Sequence, residues 1–303
     1  MAEGGEDLAE LLKEVRRIKV RSERLAAEVL AGGYGSVFRG AGVEFKDVRE
    51  YEEGDDPRAV DWNVSARLGR PFVKRFVDER ELTLLLVVDV SPRLSAGFSG
   101  RSPRHAAAVL AACLAFSAVK NQDKVGMVSF GAGARRFLPP RKGAGHALRL
   151  VRDALFGAGG GGPPDLAAAL DLVGAIQRRR AVVFVVSDFL EGGYEKALAR
   201  CGRRHDLTIV RLRPPELDAP PDFLMRARDP RSGATRLLDF GDARFRAAFR
   251  ARADAARRAS DDAARRAGAE SLEVPLPRVP DVDAVMRPLV AYFRRRASRG
   301  ARR

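Results

Sequence analysis

A chain of 303 residues can bury roughly three quarters of its unfolded surface, so one large domain or two small ones fit. Its net charge of +15 rests on 47 Arg and only 8 Lys beside abundant Ala, a skew that a GC-rich genome imposes; a scattered solvated surface is favoured over a nucleic-acid-binding face. Two cysteines in Ala/Leu-rich segments, Cys113 and Cys201, give a disulfide framework no support, and the widely separated His105, His146 and His205 exclude zinc-type spacing. The charged N-terminus lacks an apolar leader with a cleavage site, and the longest uncharged run, 106–119, would reach about 21 Å as a helix against a bilayer core of roughly 30 Å. A cytoplasmic protein without a membrane span is the expectation.

Residues 7–30 place Leu8, Leu11, Leu12, Val15, Ile18, Leu25 and Val29 at helical spacing, and Gly32 and Gly33 stop the run. Residues 1–33 therefore read as an N-terminal helix docked on the body of the protein.

Residues 34–81 read as a small antiparallel β module. Val43, Phe45 and Tyr51 alternate, with an irregularity near Val48, up to a turn at Gly54-Asp55-Asp56-Pro57. Val60, Trp62, Val64 and Ala66 then alternate with Asp61, Asn63, Ser65 and Arg67, which predicts a second strand. A turn at 68–71 leads to a third strand from Phe72 to Phe76. Trp62, the single tryptophan, is expected to anchor a core. Arg49, Arg58 and Arg67 mix with Asp47, Asp55, Asp56 and Asp61. That balance suits either a salt-bridge lattice or a partner-binding surface.

From residue 82 the pattern changes. Continuous apolar runs at 82–88, 181–187 and 207–212 have the character of strands buried on both faces. Shorter strands are expected at 124–130, 135–138 and 271–274. Helices are expected at 104–120, 146–156, 165–177, 193–203, 243–267 and 282–295, and a hairpin at 224–228 and 235–240. Alternating strands and helices predict an α/β, doubly wound, mainly parallel sheet over 82–303.

In such sheets, ligands gather at the carboxyl ends of the strands. Asp89 and Ser91 end the first buried strand and Asp188 ends a second, so both carboxylates are expected in one crevice.

The run GSVFRGAGVEFKDVREYEEGDDPRAVDWNVSARLGRPFVKRFVDERE, residues 35–81, resembles the signature block of the bacterial family called domain of unknown function 58. Arg39, Gly40, Gly42, Glu44, Phe45, Asp47, Arg49, Tyr51, Gly54, Asp55, Asp56, Arg58, Asp61, Trp62, Ala66 and Arg67 carry the resemblance. It continues loosely to the C-terminus. The Asp89 strand resembles the opening of a von Willebrand factor A-type domain, whose metal motif is Asp-x-Ser-x-Ser with a Thr and an Asp on two further loops. Asp89, Ser91 and Asp188 match. Arg93 stands where the second Ser is expected, and Pro164, before Asp165, where the Thr is expected.

The resemblance thus implies a degenerate metal-ion-dependent adhesion site. Either weak Mg²⁺ binding survives, or the Arg93 guanidinium neutralises Asp89 and Asp188 as a built-in cation. The second reading is favoured, with no cofactor. Asp89 and Asp188 acting as plain helix caps is a third. Such proteins are encoded beside MoxR-type AAA+ ATPases. That implies an adaptor which joins the ATPase to a client protein through the rim around Asp89, Arg93, Asp165 and Asp188.

Enzyme signals are weak. Gly32-Gly33-Tyr34-Gly35, His205-Asp206-Leu207 and Asp239-Phe240-Gly241 echo kinase tripeptides in order, but the phosphate-pairing Lys strand and the metal-binding Asn are missing. The glycines at 157–162 lack the Gly-Lys-Ser/Thr of a phosphate loop. A non-enzymatic interaction protein is the expected function. A Mg-dependent ligand-binding domain or a basic nucleic-acid-binding protein is the alternative.

Overall fold

The computed structural model describes residues 44–300 apart from 53–54, 57–58, 78–81, 133–134, 158, 161 and 230–231. The helix expected at 7–30 lies outside the described residues, as do Arg39, Gly40, Gly42, Gly54 and Arg58. Phe38–Glu81 makes one compact unit, and Leu82–Arg303 belongs to another.

In the smaller unit, β1 (Glu44–Glu50) pairs antiparallel with β2 (Phe72–Val77), with an irregularity between Phe45 and Asp47. The strand expected between them is instead a helix, α1 (Trp62–Leu68). The local cap chemistry explains the correction. The Asp61 carboxylate accepts the Asn63 and Val64 amides, and Gly69 closes the helix at φ 68 with its N–H on the Ser65 carbonyl. Two good caps outweigh a period-2 apolar pattern only a few residues long. Trp62 is also corrected: it is 73% exposed and anchors no core.

The larger unit runs β3 (Thr83–Asp89), α2 (Pro103–Lys120), β4 (Lys124–Phe130), β5 (Arg135–Arg141), α3 (Ala144–Phe156), α4 (Leu166–Ile176), β6 (Val182–Ser187), α5 (Glu195–Arg204), β7 (Asp206–Arg213), β8 (Leu224–Arg228), β9 (Thr235–Asp239), α6 (Ala243–Arg266), β10 (Glu270–Pro275) and α7 (Val282–Gly300). Six strands form one sheet in the order β10-β7-β6-β3-β4-β5. All neighbours are parallel except β5 on β4. The chain is therefore a mixed α/β protein with a mostly parallel central sheet.

The central strands β3, β4, β6 and β7 are covered on both faces. Leu85, Val87, Val183, Val185 and Ile209 pack with Leu166, Leu170, Leu198 and Ala263 from α4, α5 and α6. On the other side α2 packs against α3 and α7. Its residues 106–118 are buried throughout, which explains why it reads as uniformly apolar instead of amphipathic. Burial pushes the Cys201 thiol up to about 12, so it stays protonated. β8 and β9 form a separate antiparallel hairpin. Among the described residues, no helix is long and apolar enough to cross a membrane.

Candidate functional site

β3 and β6 are adjacent and parallel, so their carboxyl ends open on one crevice. Asp89 is completely buried there. Its Oδ1 accepts the Ser91 amide at 2.9 Å, and its Oδ2 accepts the Ser187 hydroxyl at 2.7 Å. Asp188 follows β6 and is also buried. Its Oδ1 accepts the Leu190 amide at 3.1 Å, a turn made possible by Phe189 in the left-handed region at φ 54. A Phe seldom adopts that conformation. Here the ring is held in the core, edge-on to Tyr194 at 5.6 Å.

Arg93 sits in a short 3-10 turn, Pro92–Ser95, directly above both carboxylates. Its Nη2 donates to Asp188 Oδ1 at 2.6 Å and lies 3.4 Å from Asp89 Oδ2, while its Nη1 is 3.3 Å from Glu191 Oε1. One guanidinium thus contacts three carboxylates. Burial nevertheless pushes the Asp188 carboxyl up from 3.8 to about 6, with the Arg93 charge opposing the shift and Asp89 adding to it. Asp188 therefore holds its proton to a higher pH than an ordinary carboxyl does.

A second guanidinium braces the crevice. Arg104 Nη2, on the first turn of α2, donates to the carbonyls of Val90 and Gly157. Burial lowers its pKa and Asp89 offsets the shift. The clasp ties the end of β3 to the glycine-rich segment after α3. A Cβ on Gly159 would overlap the Val90 carbonyl and come within 2.8 Å of the Ser91 Cα, so glycine is required for this close approach. Gly159 closes over Ser91, whose buried hydroxyl, like Arg93 Nε and Arg104 Nε, has no hydrogen-bond partner among the described residues.

Pro164 is half-buried beside Asp165, which caps α4 by accepting the Ala168 amide at 2.9 Å. Asp165 also hydrogen-bonds the Gly131 carbonyl through its own amide, placing it at the same end of the sheet. Asp89, Ser91, Arg93 and Asp188 are brought together; Asp165 is occupied as a cap. Sequence reasoning missed Ser187, Glu191 and Arg104. Only Ser187, adjacent to Asp188, carried even a positional hint.

Arg93 Nη2 occupies Asp89 Oδ2 and Asp188 Oδ1, so a divalent ion bound through these two oxygens would compete with the guanidinium. Among the described residues, no group of three His, Cys, Asp or Glu side chains could hold a metal.

In the smaller unit, Arg49 Nη2 bonds Asp55 Oδ1 at 2.7 Å and its Nη1 approaches Glu52 at 3.5 Å. The Glu52 amide, then Arg49, lower the Asp55 pKa. Asp61 serves as the α1 cap, Arg67 is exposed on that helix, and Asp56 is exposed beside the half-buried Asp55. These residues fix local turns.

The chain is similar over 262 residues, at 32% identity, to the uncharacterized proteins Rv1480 of Mycobacterium tuberculosis and Mb1516 of Mycobacterium bovis, covering 84% of this chain and 83% of each relative. Among solved structures it matches the VWA domain of SpRpn10 at a TM-score of 0.38 and 15% identity, over 70% of this chain and 97% of that one. The model of the family described as protein of unknown function DUF58 matches residues 47–259, so this chain belongs to the DUF58 family.

Proposed function

We propose that the chain is a non-enzymatic interaction module whose docking surface is the carboxyl-end rim of the sheet. Arg93 serves there in place of a metal ion. The observation that supports this most directly is its guanidinium lying between Asp89 and Asp188 at 3.4 and 2.6 Å. A permanently charged side chain makes the surface independent of ion supply.

Three large apolar side chains stand at this end, Phe98 and Leu190 on loops and Phe156 at the last residue of α3: Phe98 is 39% exposed, Phe156 47% and Leu190 36%. Apolar anchors around a desolvated charge cluster are the usual composition of a binding hot spot. The partner we assign is a MoxR-type AAA+ ATPase, and the chain would link it to a client protein. That assignment rests on the family resemblance and on no contact within this molecule. The orphaned Ser91 hydroxyl favours a second reading, a residual Mg²⁺-dependent ligand site.

Co-purification with the ATPase in buffer containing EDTA separates the two readings. The adaptor reading predicts retention by the wild type without divalent ions, and loss by a Phe156→Asp, Leu190→Asp variant that still melts cooperatively. Retention that requires added magnesium, or no retention under either condition, overturns it.

A further inference from the structure

The β8–β9 hairpin is a two-stranded sheet with no third strand among the described residues. Isolated hairpins are marginally stable in water, and an uncovered edge is a template for pairing. In this one Arg226 pairs with Leu237 and Leu224 with Asp239, so Leu224, Arg226, Arg228, Thr235, Leu237 and Asp239 share one face. That face is open: Leu224 is 60% exposed and Leu237 67%, with Phe223 beside them at 53%. The opposite face, through Met225, Ala227 and Leu238, is half-buried.

We propose that β9 is a self-association edge that pairs antiparallel with β9 of a second copy, in a register centred on Leu237. The chemistry of Thr235-Arg236-Leu237-Leu238-Asp239 selects this occupant. A two-fold axis at Leu237 sets that side chain against Leu237 of the partner subunit, Thr235 against Asp239 of the partner subunit, and Arg236 against Leu238 of the partner subunit. An apolar pair sits at the centre, and a hydroxyl–carboxylate pair flanks it on each side. Neighbouring choices are worse. An axis one residue earlier opposes two Arg236 guanidiniums, and one residue later sets Leu237 against Asp239. Symmetric pairing about the middle of β8 opposes two Arg226 side chains.

The result is a four-stranded sheet in which the two Leu237 side chains pack beside each other on one face. Five residues of strand bury little area, so the association is weak, with a dissociation constant on the order of 10–100 μM. The surface lies outside the Arg93 crevice, and its failure would leave the adaptor reading untouched.

A Leu237→Cys variant tests the register. Cβ atoms of directly opposed antiparallel residues approach to about 5 Å, close to disulfide range. The natural thiols, Cys113 and Cys201, are buried and do not compete. Under mild oxidation at ~100 μM, Leu237→Cys should form a covalent dimer on the order of ten-fold faster than Arg226→Cys, because pairing raises its effective concentration. Sedimentation of the wild type should show a concentration-dependent dimer that Leu237→Lys abolishes. Equal cross-linking rates, faster cross-linking of Arg226→Cys, or a wild type that stays monomeric at ~500 μM would each overturn the proposal.

Discussion

The crevice turns on single residues. Asp89 and Asp188 are two buried carboxylates at the ends of adjacent strands, an arrangement that repels itself unless a cation intervenes. Arg93 supplies that cation from within the chain and spends a third contact on Glu191. Proton uptake by Asp188 follows a definite sign. Its folded pKa is raised, from 3.8 to about 6, so the stability linked to its protonated form is full below the unfolded value and is lost as pH rises through about 6. Chemical denaturation of wild type and Asp188→Asn across that window checks this. The wild type should lose stability relative to the variant as pH rises from about 4 to about 6, by at most roughly 3 kcal/mol. A difference that is flat with pH, or that rises, contradicts the assignment.

At the scale of elements, legibility in the sequence depended on length. Val182–Ser187 and Thr83–Asp89 are continuous apolar strands, and their ends, hence the shared location of Asp89 and Asp188, follow from the run alone. The segment Trp62–Leu68 was not legible in the same way. Its alternation is short, and the outcome was decided by the Asp61 cap and the left-handed Gly69, signals that compete with periodicity. Arg104, Glu191 and the seal over Ser91 left no local pattern, because each acts on residues brought near only by the fold. The glycine-rich segment, which resembles a phosphate loop in composition alone, instead packs backbone to backbone against Val90 and Ser91. Gly159→Ala should destabilise the protein by roughly 1–3 kcal/mol through this overlap, whereas Gly143→Ala, beside open space but at φ 99, should show only its own backbone strain. Thermal melts of the two variants against wild type would measure the difference, and an unchanged melting temperature for Gly159→Ala would contradict the packing account.

At the scale of the molecule, the parallel sheet of five strands with one antiparallel edge places every crevice residue at the carboxyl ends of strands or in the segments that follow them, at one end. This is why a sequence with no catalytic spacing could still point to a site: alternating buried strands and helices fix where strand ends converge. What a pattern of strands cannot specify is the occupant of that convergence, because Arg93 reaches Asp188 across 95 positions of chain. Magnesium and manganese titration calorimetry on the wild type and on an Arg93→Ser, Pro164→Thr variant tests most directly the proposal that Arg93 stands in for an ion. No binding heat from the wild type at millimolar metal, with binding gained by the variant, is the predicted result; micromolar binding by the wild type that disappears in Asp89→Ala would contradict it.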